Sequence, residues 1–293
     1  MENTNIEQYY EKIMNLKEAE EFKKVIRKWK LLSENIKDRP MNAPVLLPDM
    51  LWVAKSGVGK TNLLKLVSEY LYQCGNLMDF YGDVKFFEFL LSYCEPSARF
   101  TELNRLMDEV KNAAGFRSEF RGIVRIDIDE WIEHFEEKHF ITFMEYLAAN
   151  SENWMIILSV AGADGKKLHN LEAFLSMYLR IERITLSLPK TNDLFEHIEG
   201  KLSSYGLSLE EDAKKLLYDT IETMRKNKYF DGFKSINMLC QDIVYKIFSQ
   251  GKVKDYRLDA KALCDFSCDS EYVKRTVANI EKVGKIGLIA RGE

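Results

Sequence analysis

The chain has 293 residues, 46% of them apolar and 30% charged, which suits one or two globular domains with a sizeable core, so disorder is not expected. Its 42 Lys and Arg against 46 Asp and Glu leave a formal charge of -4, so no global basic surface exists to neutralise a phosphate backbone and any such contact has to be local. Five scattered cysteines argue against a disulfide framework, and Cys264 with Cys268 lacks the further Cys or His that a zinc site needs.

Residues 5–36 read as helix, with Ile13, Leu16, Phe22, Val25, Ile26 and Trp29 near helical spacing among charges. This acidic, amphipathic start lacks the basic and then apolar profile of a secretory signal, and no run is long enough to span a bilayer, so the expected address is the cytoplasm. A stretch holding Pro40, Pro44 and Pro48 then leads into alternating short apolar and longer amphipathic segments.

DMLWVA, VKFFEFLL, GIVRIDID, WMIILSVA and RITLSLP read as strands. TNLLKLVSEYLYQCG, ARFTELNRLMDEVKNAAG and HFITFMEYLAAN read as helices between them. Strands separated by helices imply an α/β fold, a parallel sheet flanked by helices on both faces. After Pro189 every long segment is helical, and Ser208 with Glu211 has the spacing of a capping box opening the second of these helices. The expected division is a helical segment over 1–36, an α/β core over 37–190 and an all-helical part over 191–293.

Residues 54–61, AKSGVGKT, follow the first strand and open a helix. A phosphate-binding loop needs convergent backbone N–H groups, glycines where a side chain would block the anion, a helix N-terminus behind it and a lysine for the outer phosphates. Ser56, Gly57, Val58 and Gly59 supply the amides, Lys60 the charge, and Thr61 a hydroxyl for Mg²⁺. Ala54 stands where the strict pattern has glycine, at the strand end rather than where the chain wraps a phosphate.

A second element supports the loop. The strand GIVRIDIDEW ends in acids: a carboxylate there can face Mg²⁺ and its neighbour can orient water. Either Asp127 or Asp129 fits, since alternation puts both on one side; Asp129 is preferred because Glu130 follows it, which assigns Asp129 to the metal and Glu130 to the base.

Taken together, AKSGVGKT, IVRIDIDE, YLRIERITLSLP and a helical lid resemble the AAA+ ATPases, over about residues 13–250. The resemblance implies a P-loop core with a small helical lid, ATP and Mg²⁺ as cofactors, and a homo-oligomeric ring that remodels a protein client. It gives Arg180 the role of a finger reaching the γ-phosphate of a neighbouring copy, with Arg183 as alternate. It makes Ser159 the polar residue that positions water, places Lys234 where the lid presents a sensor arginine, and sets Tyr93 in the pore-facing loop. In plan the chain is similar to small single-ring remodellers such as the red-type rubisco activases. Two rivals share the same site: a nucleic-acid-associated AAA+ protein of the helicase-loader or transposition-helper kind, for which KKVIRKWK at 23–30 with Trp29, and KKL at 166–168, are the basic candidates, and an interaction switch that binds ATP with little hydrolysis.

Overall fold

The computed structural model describes residues 2–37, 45, 47–74, 86–90, 98, 101, 103–105, 107–108, 122–151, 154–162, 165–227, 230–249 and 256–274. They divide into two compact units: residues 1–55 with 59–187, and residues 188–293 with the tripeptide Ser56–Val58.

The first unit opens with α1 (Glu2–Met14) and α2 (Glu20–Ile36). The continuous helix expected from periodicity is broken at Asn15–Ala19, where Glu18 takes a left-handed φ of 53°. The break lets two faces serve two partners: Tyr10 of α1 packs on Tyr70, while α2 sets Phe22 edge-on to Trp52 at 6.3 Å. One straight rod could not lay one stripe on the helix that carries Tyr70 and the other on the sheet.

Five parallel strands follow: β1 (Asp49–Ala54), β2 (Phe86–Leu90), β3 (Gly122–Asp127), β4 (Trp154–Val160) and β5 (Ile181–Leu186). Their order is β2-β3-β4-β1-β5, so β1, which runs into the glycine loop, sits between β4 and β5. Register pairs Met50 with Ile157 and Asp49 with Ile181, and Asp127 with Ser159. Because all strands are parallel, their C-terminal ends lie on one edge of the sheet, where ligands of open α/β sheets bind.

α3 (Lys60–Gln73), α4 (Lys138–Ala149) and α5 (Gly165–Leu175) complete this unit. One core joins Leu51, Val124, Ile126 and Leu158 of the strands to Phe140, Phe143 and Met144 of α4 and Leu171 and Phe174 of α5. Trp131 stacks on Phe140 at 5.6 Å, in a core of aromatic side chains whose truncation would each cost about 3–5 kcal/mol. The edge strand β5 is covered by α2, whose Glu21 carboxylate accepts the Thr185 N–H, leaving that donor satisfied.

The second unit holds α6 (Thr191–Ser204), β6 (Ser208–Leu209), α7 (Glu211–Arg225), α8 (Gly232–Ser249) and β7 (Arg257–Leu258). Leu194, Ile198, Leu217, Ile221, Ile236 and Ile243 form its core. The capping box expected at Ser208 does not form: Ser208 lies in β6 and its N–H donates to Tyr256 O at 2.9 Å, while Glu210 occupies the N-cap position of α7. Pairing with β7 is the stronger use of that backbone. No helix among the described residues is long and apolar enough to cross a membrane.

Candidate nucleotide site

β1 ends at Ala54 and α3 begins at Lys60, so the glycine loop bridges a strand end and a helix N-terminus as a phosphate cradle requires. Gly57 and Gly59 have φ of 75° and 91°, the left-handed region that residues with a Cβ avoid. Ala54 is buried within the strand, ahead of the turn, so its methyl group meets no positive φ. Within the second unit the loop tip is tightly held. Phe233 N–H donates to Gly57 O at 2.9 Å, and a Cβ at Gly57 would lie 1.9 Å from Asp231 O.

Lys60 Nζ donates to Ala54 O at 2.9 Å and stands 3.9 Å from Asp127 Oδ2. Asp127 is the last residue of β3, and Ile128 beyond it is fully buried in the core, so the acid on the sheet's C-terminal edge nearest the loop lysine is Asp127. Asp129 opens a 3-10 turn, Asp129–Trp131, that carries it off the strand line. Its N–H donates to Asp127 Oδ1 at 3.2 Å, and its own Oδ1 accepts the Ala161 N–H. Burial, together with the neighbouring Asp127 charge, pushes the Asp129 carboxyl up to about 6, against the opposing pull of the Ala161 N–H. Glu130 follows in the same turn, half-buried, with no hydrogen-bond partner for its carboxylate among the described residues.

Sequence reading missed two further charged residues here. Arg125, two positions before Asp127, is buried in β3; its Nε donates to Glu88 Oε1 of β2 at 2.8 Å and its Nη1 to Ser159 Oγ at 2.8 Å, with Asp127 Oδ2 3.9 Å away. Thr61 Oγ1 donates to the same Glu88 oxygen at 3.1 Å. Ser159 is fully buried and its hydroxyl also lies 3.5 Å from Asp127 Oδ2. The visible signal was an arginine in GIVRID and a glutamate in FFEFL, each interrupting a strand that in a parallel sheet should read as continuously apolar.

The donor set suits a hard cation. The Thr61 hydroxyl meets the Glu88 carboxylate and Asp127 faces Lys60, oxygen donors of the kind Mg²⁺ takes; among the described residues no three acids, histidines or cysteines gather into a metal site of their own.

Within the first unit, Arg180 and Arg183 lie apart from this cluster. Arg180 is exposed and immediately precedes β5, whose first residue pairs with Asp49 at the start of β1, the edge away from the loop. Arg183 lies within β5 and pairs with Glu172 at 3.5 Å. Lys234 is an exposed side chain in the first turn of α8, 3.6 Å from Asp231 Oδ2. Tyr93 falls outside the described residues.

A parallel five-stranded sheet with a glycine loop after β1, an acid ending β3 and a helical second unit is the architecture of an AAA+ P-loop ATPase core. Solved structures agree on that fold. Thermotoga maritima RuvB, a Holliday junction branch migration motor, is similar at 12% identity and a TM-score of 0.52, over 89% of this chain and 76% of that one. Caenorhabditis elegans PCH-2 is similar at 15% identity and 0.51, over 84% and 66%. The Aeropyrum pernix ORC1 protein, solved in complex with DNA, is similar at 16% identity and 0.51, over 81% and 63%. No family model matches the sequence, and no curated protein does.

Proposed function

We propose that this protein is a Mg²⁺-dependent ATPase of the AAA+ type that acts on a protein partner from within a ring of identical copies. The observation that carries the reading is the meeting of Lys60 and Asp127, 3.9 Å apart, on the edge of the sheet where a left-handed Gly59 opens α3. An ion pair at that place is the arrangement a lysine takes when it can exchange a carboxylate for phosphate oxygens. The loop amides from Ser56 to Gly59 and the N-terminus of α3 would hold the phosphates. Thr61 and Asp127 would hold Mg²⁺, with Asp129 beside them, and the ion would offset negative charge on the phosphates. Glu130 is the base that takes the proton of the attacking water, and Ser159 steadies that water through its position beside Asp127. Arg180 would complete the site of the adjacent copy.

The nucleic-acid reading draws support from two of the similar structures, the branch migration motor and the DNA-bound ORC1 protein. Within this chain three of the five cations of the candidate basic stretch are paired with acids, while Lys24 and Arg27 are exposed. Trp29 is buried, Lys23 pairs with Glu20, Lys28 with Glu182 and Lys30 with Glu7. Lys167 pairs with Glu133 and Leu168 is buried, so the second candidate offers no better strip. The protein-client reading is therefore preferred.

The test is ATP turnover per chain with Mg²⁺ over a wide range of protein concentration. Turnover rising from near zero to a plateau is expected; nucleotide binding with no turnover at any concentration would favour the switch instead. Glu130→Gln is expected to hold ATP without releasing product, and an unchanged rate in that variant overturns the base assignment.

A further inference from the structure

Arg125 is an expensive residue to place in the middle of a parallel sheet. Its side chain is 4% exposed, and a buried guanidinium is tolerated only when its donors are met by partners that also carry charge. Side chains alternate along a strand, so Arg125 and Asp127 share the face of β3 opposite to Val124 and Ile126, which enter the core. On that face Arg125 reaches Glu88 on one neighbouring strand and Ser159 on the other. An apolar side chain would fill the same volume at less cost, so stability alone gives no reason for the pair.

The geometry of Glu88 supplies one. A single oxygen, Oε1, accepts both from Arg125 Nε at 2.8 Å and from Thr61 Oγ1 at 3.1 Å. A hydroxyl has one proton and two lone pairs. Once the Thr61 proton is committed to Glu88, its lone pairs face away from that carboxylate and are presented as cation ligands. Arg125 fixes the acceptor in place and offsets its charge, so that Glu88 adds no net negative charge beside Asp127, which stands 3.9 Å from the same guanidinium.

We infer that Glu88, held by Arg125, is a positioning residue that aims the Thr61 hydroxyl at the metal accompanying the nucleotide. This rests on the reading of the site as a Mg²⁺-nucleotide site. It predicts a defect in the coupling between metal and nucleotide rather than in nucleotide binding itself.

The experiment measures the affinity of ADP carrying a fluorescent ribose label, in Mg²⁺ and in EDTA, for the full chain and two variants, with thermal melts of each. The double variant Glu88→Leu with Arg125→Met removes both charges together, which leaves no buried ion unpaired. It is expected to fold and to bind labelled ADP in EDTA within about twofold of the original chain. The tightening caused by Mg²⁺ should fall about tenfold, the scale of one hydrogen bond to a charged group. Glu88→Gln keeps an acceptor oxygen and should lose only about threefold of that tightening. A role confined to holding strands together would lower the melting temperature and leave the Mg²⁺ effect alone. Unchanged Mg²⁺ tightening in the double variant, or in Glu88→Gln should the double variant fail to fold, overturns the inference. If the original chain binds labelled ADP but gains nothing from Mg²⁺, the inference falls and nucleotide binding stands; if it binds none in either condition, the nucleotide reading itself falls with it.

Discussion

Asp127 and Asp129 are separated by a single residue, yet the fold gives them different surroundings. Asp127 ends its strand facing Lys60, whereas the turn that follows swings Asp129 toward the end of β4, where Ala161 N–H engages it. If Asp127 is the metal ligand, Asp127→Asn should reduce Mg²⁺-dependent ATP turnover by about a hundredfold or more. Asp129→Asn retains an acceptor for Ala161 N–H and should cost less than about tenfold. A larger loss in Asp129→Asn than in Asp127→Asn would return the metal role to Asp129. The sequence could not make this choice, because strict alternation carried past Asp127 puts residues 125, 127 and 129 on one face, and only the end of the strand and the inward turn of Ile128 separate them. Lys60 and Thr61 were legible for the opposite reason: glycine spacing and a helix start constrain the backbone locally. Glu88 and Arg125 were hidden because their meaning lies in a cross-strand pairing, Glu88 beside Arg125, that spacing along the chain does not express.

Strands of the first unit were legible from their apolar runs, even where a charge interrupts one as Arg125 does in β3. β1, β3 and β4 fall within the apolar runs DMLWVA, GIVRIDID and WMIILSVA. α5 escaped notice because its opening GKKLHN reads as a basic turn, although Leu168, Leu171, Phe174 and Leu175 bury one face of a helix. β1 also carries a charge at its start that shapes how this element responds to pH. Asp49 is buried and accepts the Ile156 N–H at 2.8 Å, an arrangement in which burial outweighs the hydrogen bond and pushes its carboxyl up to about 7. The folded chain therefore keeps a proton that the unfolded chain, titrating near 3.8, has released, so stability falls as pH rises between these two values and is level above about 7. Asp49→Asn keeps the acceptor and removes the ionisation. It should raise stability by on the order of 1–2 kcal/mol at about pH 8 and make little difference near pH 4, so thermal melts of the two proteins should diverge as pH rises. Equal slopes against pH would show that Asp49 stays ionised in the fold.

At the scale of the molecule, the position of Arg180 decides how many chains make one working site. β5 runs parallel to β1, with Ile181 paired to Asp49 and Leu186 to Ala54, so Arg180 lies at the far edge of the sheet from the loop of its own chain. Five residue steps at about 3.3 Å each put roughly 17 Å of strand between the two edges, more than an arginine side chain spans. If Arg180 contributes to catalysis, it does so for another copy, through a head-to-tail contact of the kind that closes rings. Arg180→Ala should then bind nucleotide normally and lose turnover by about a thousandfold. Lys60→Ala should fail at nucleotide binding while still presenting Arg180. Mixed in equal amounts under conditions of subunit exchange, the two inactive chains should recover about one quarter of the original turnover per chain, because half of them carry an intact loop and half of those meet an intact finger. Chains that work alone would give no recovery at any ratio. Full turnover in Arg180→Ala by itself would move the search to Arg183, whose pairing with Glu172 would then have to open before it could serve a neighbour.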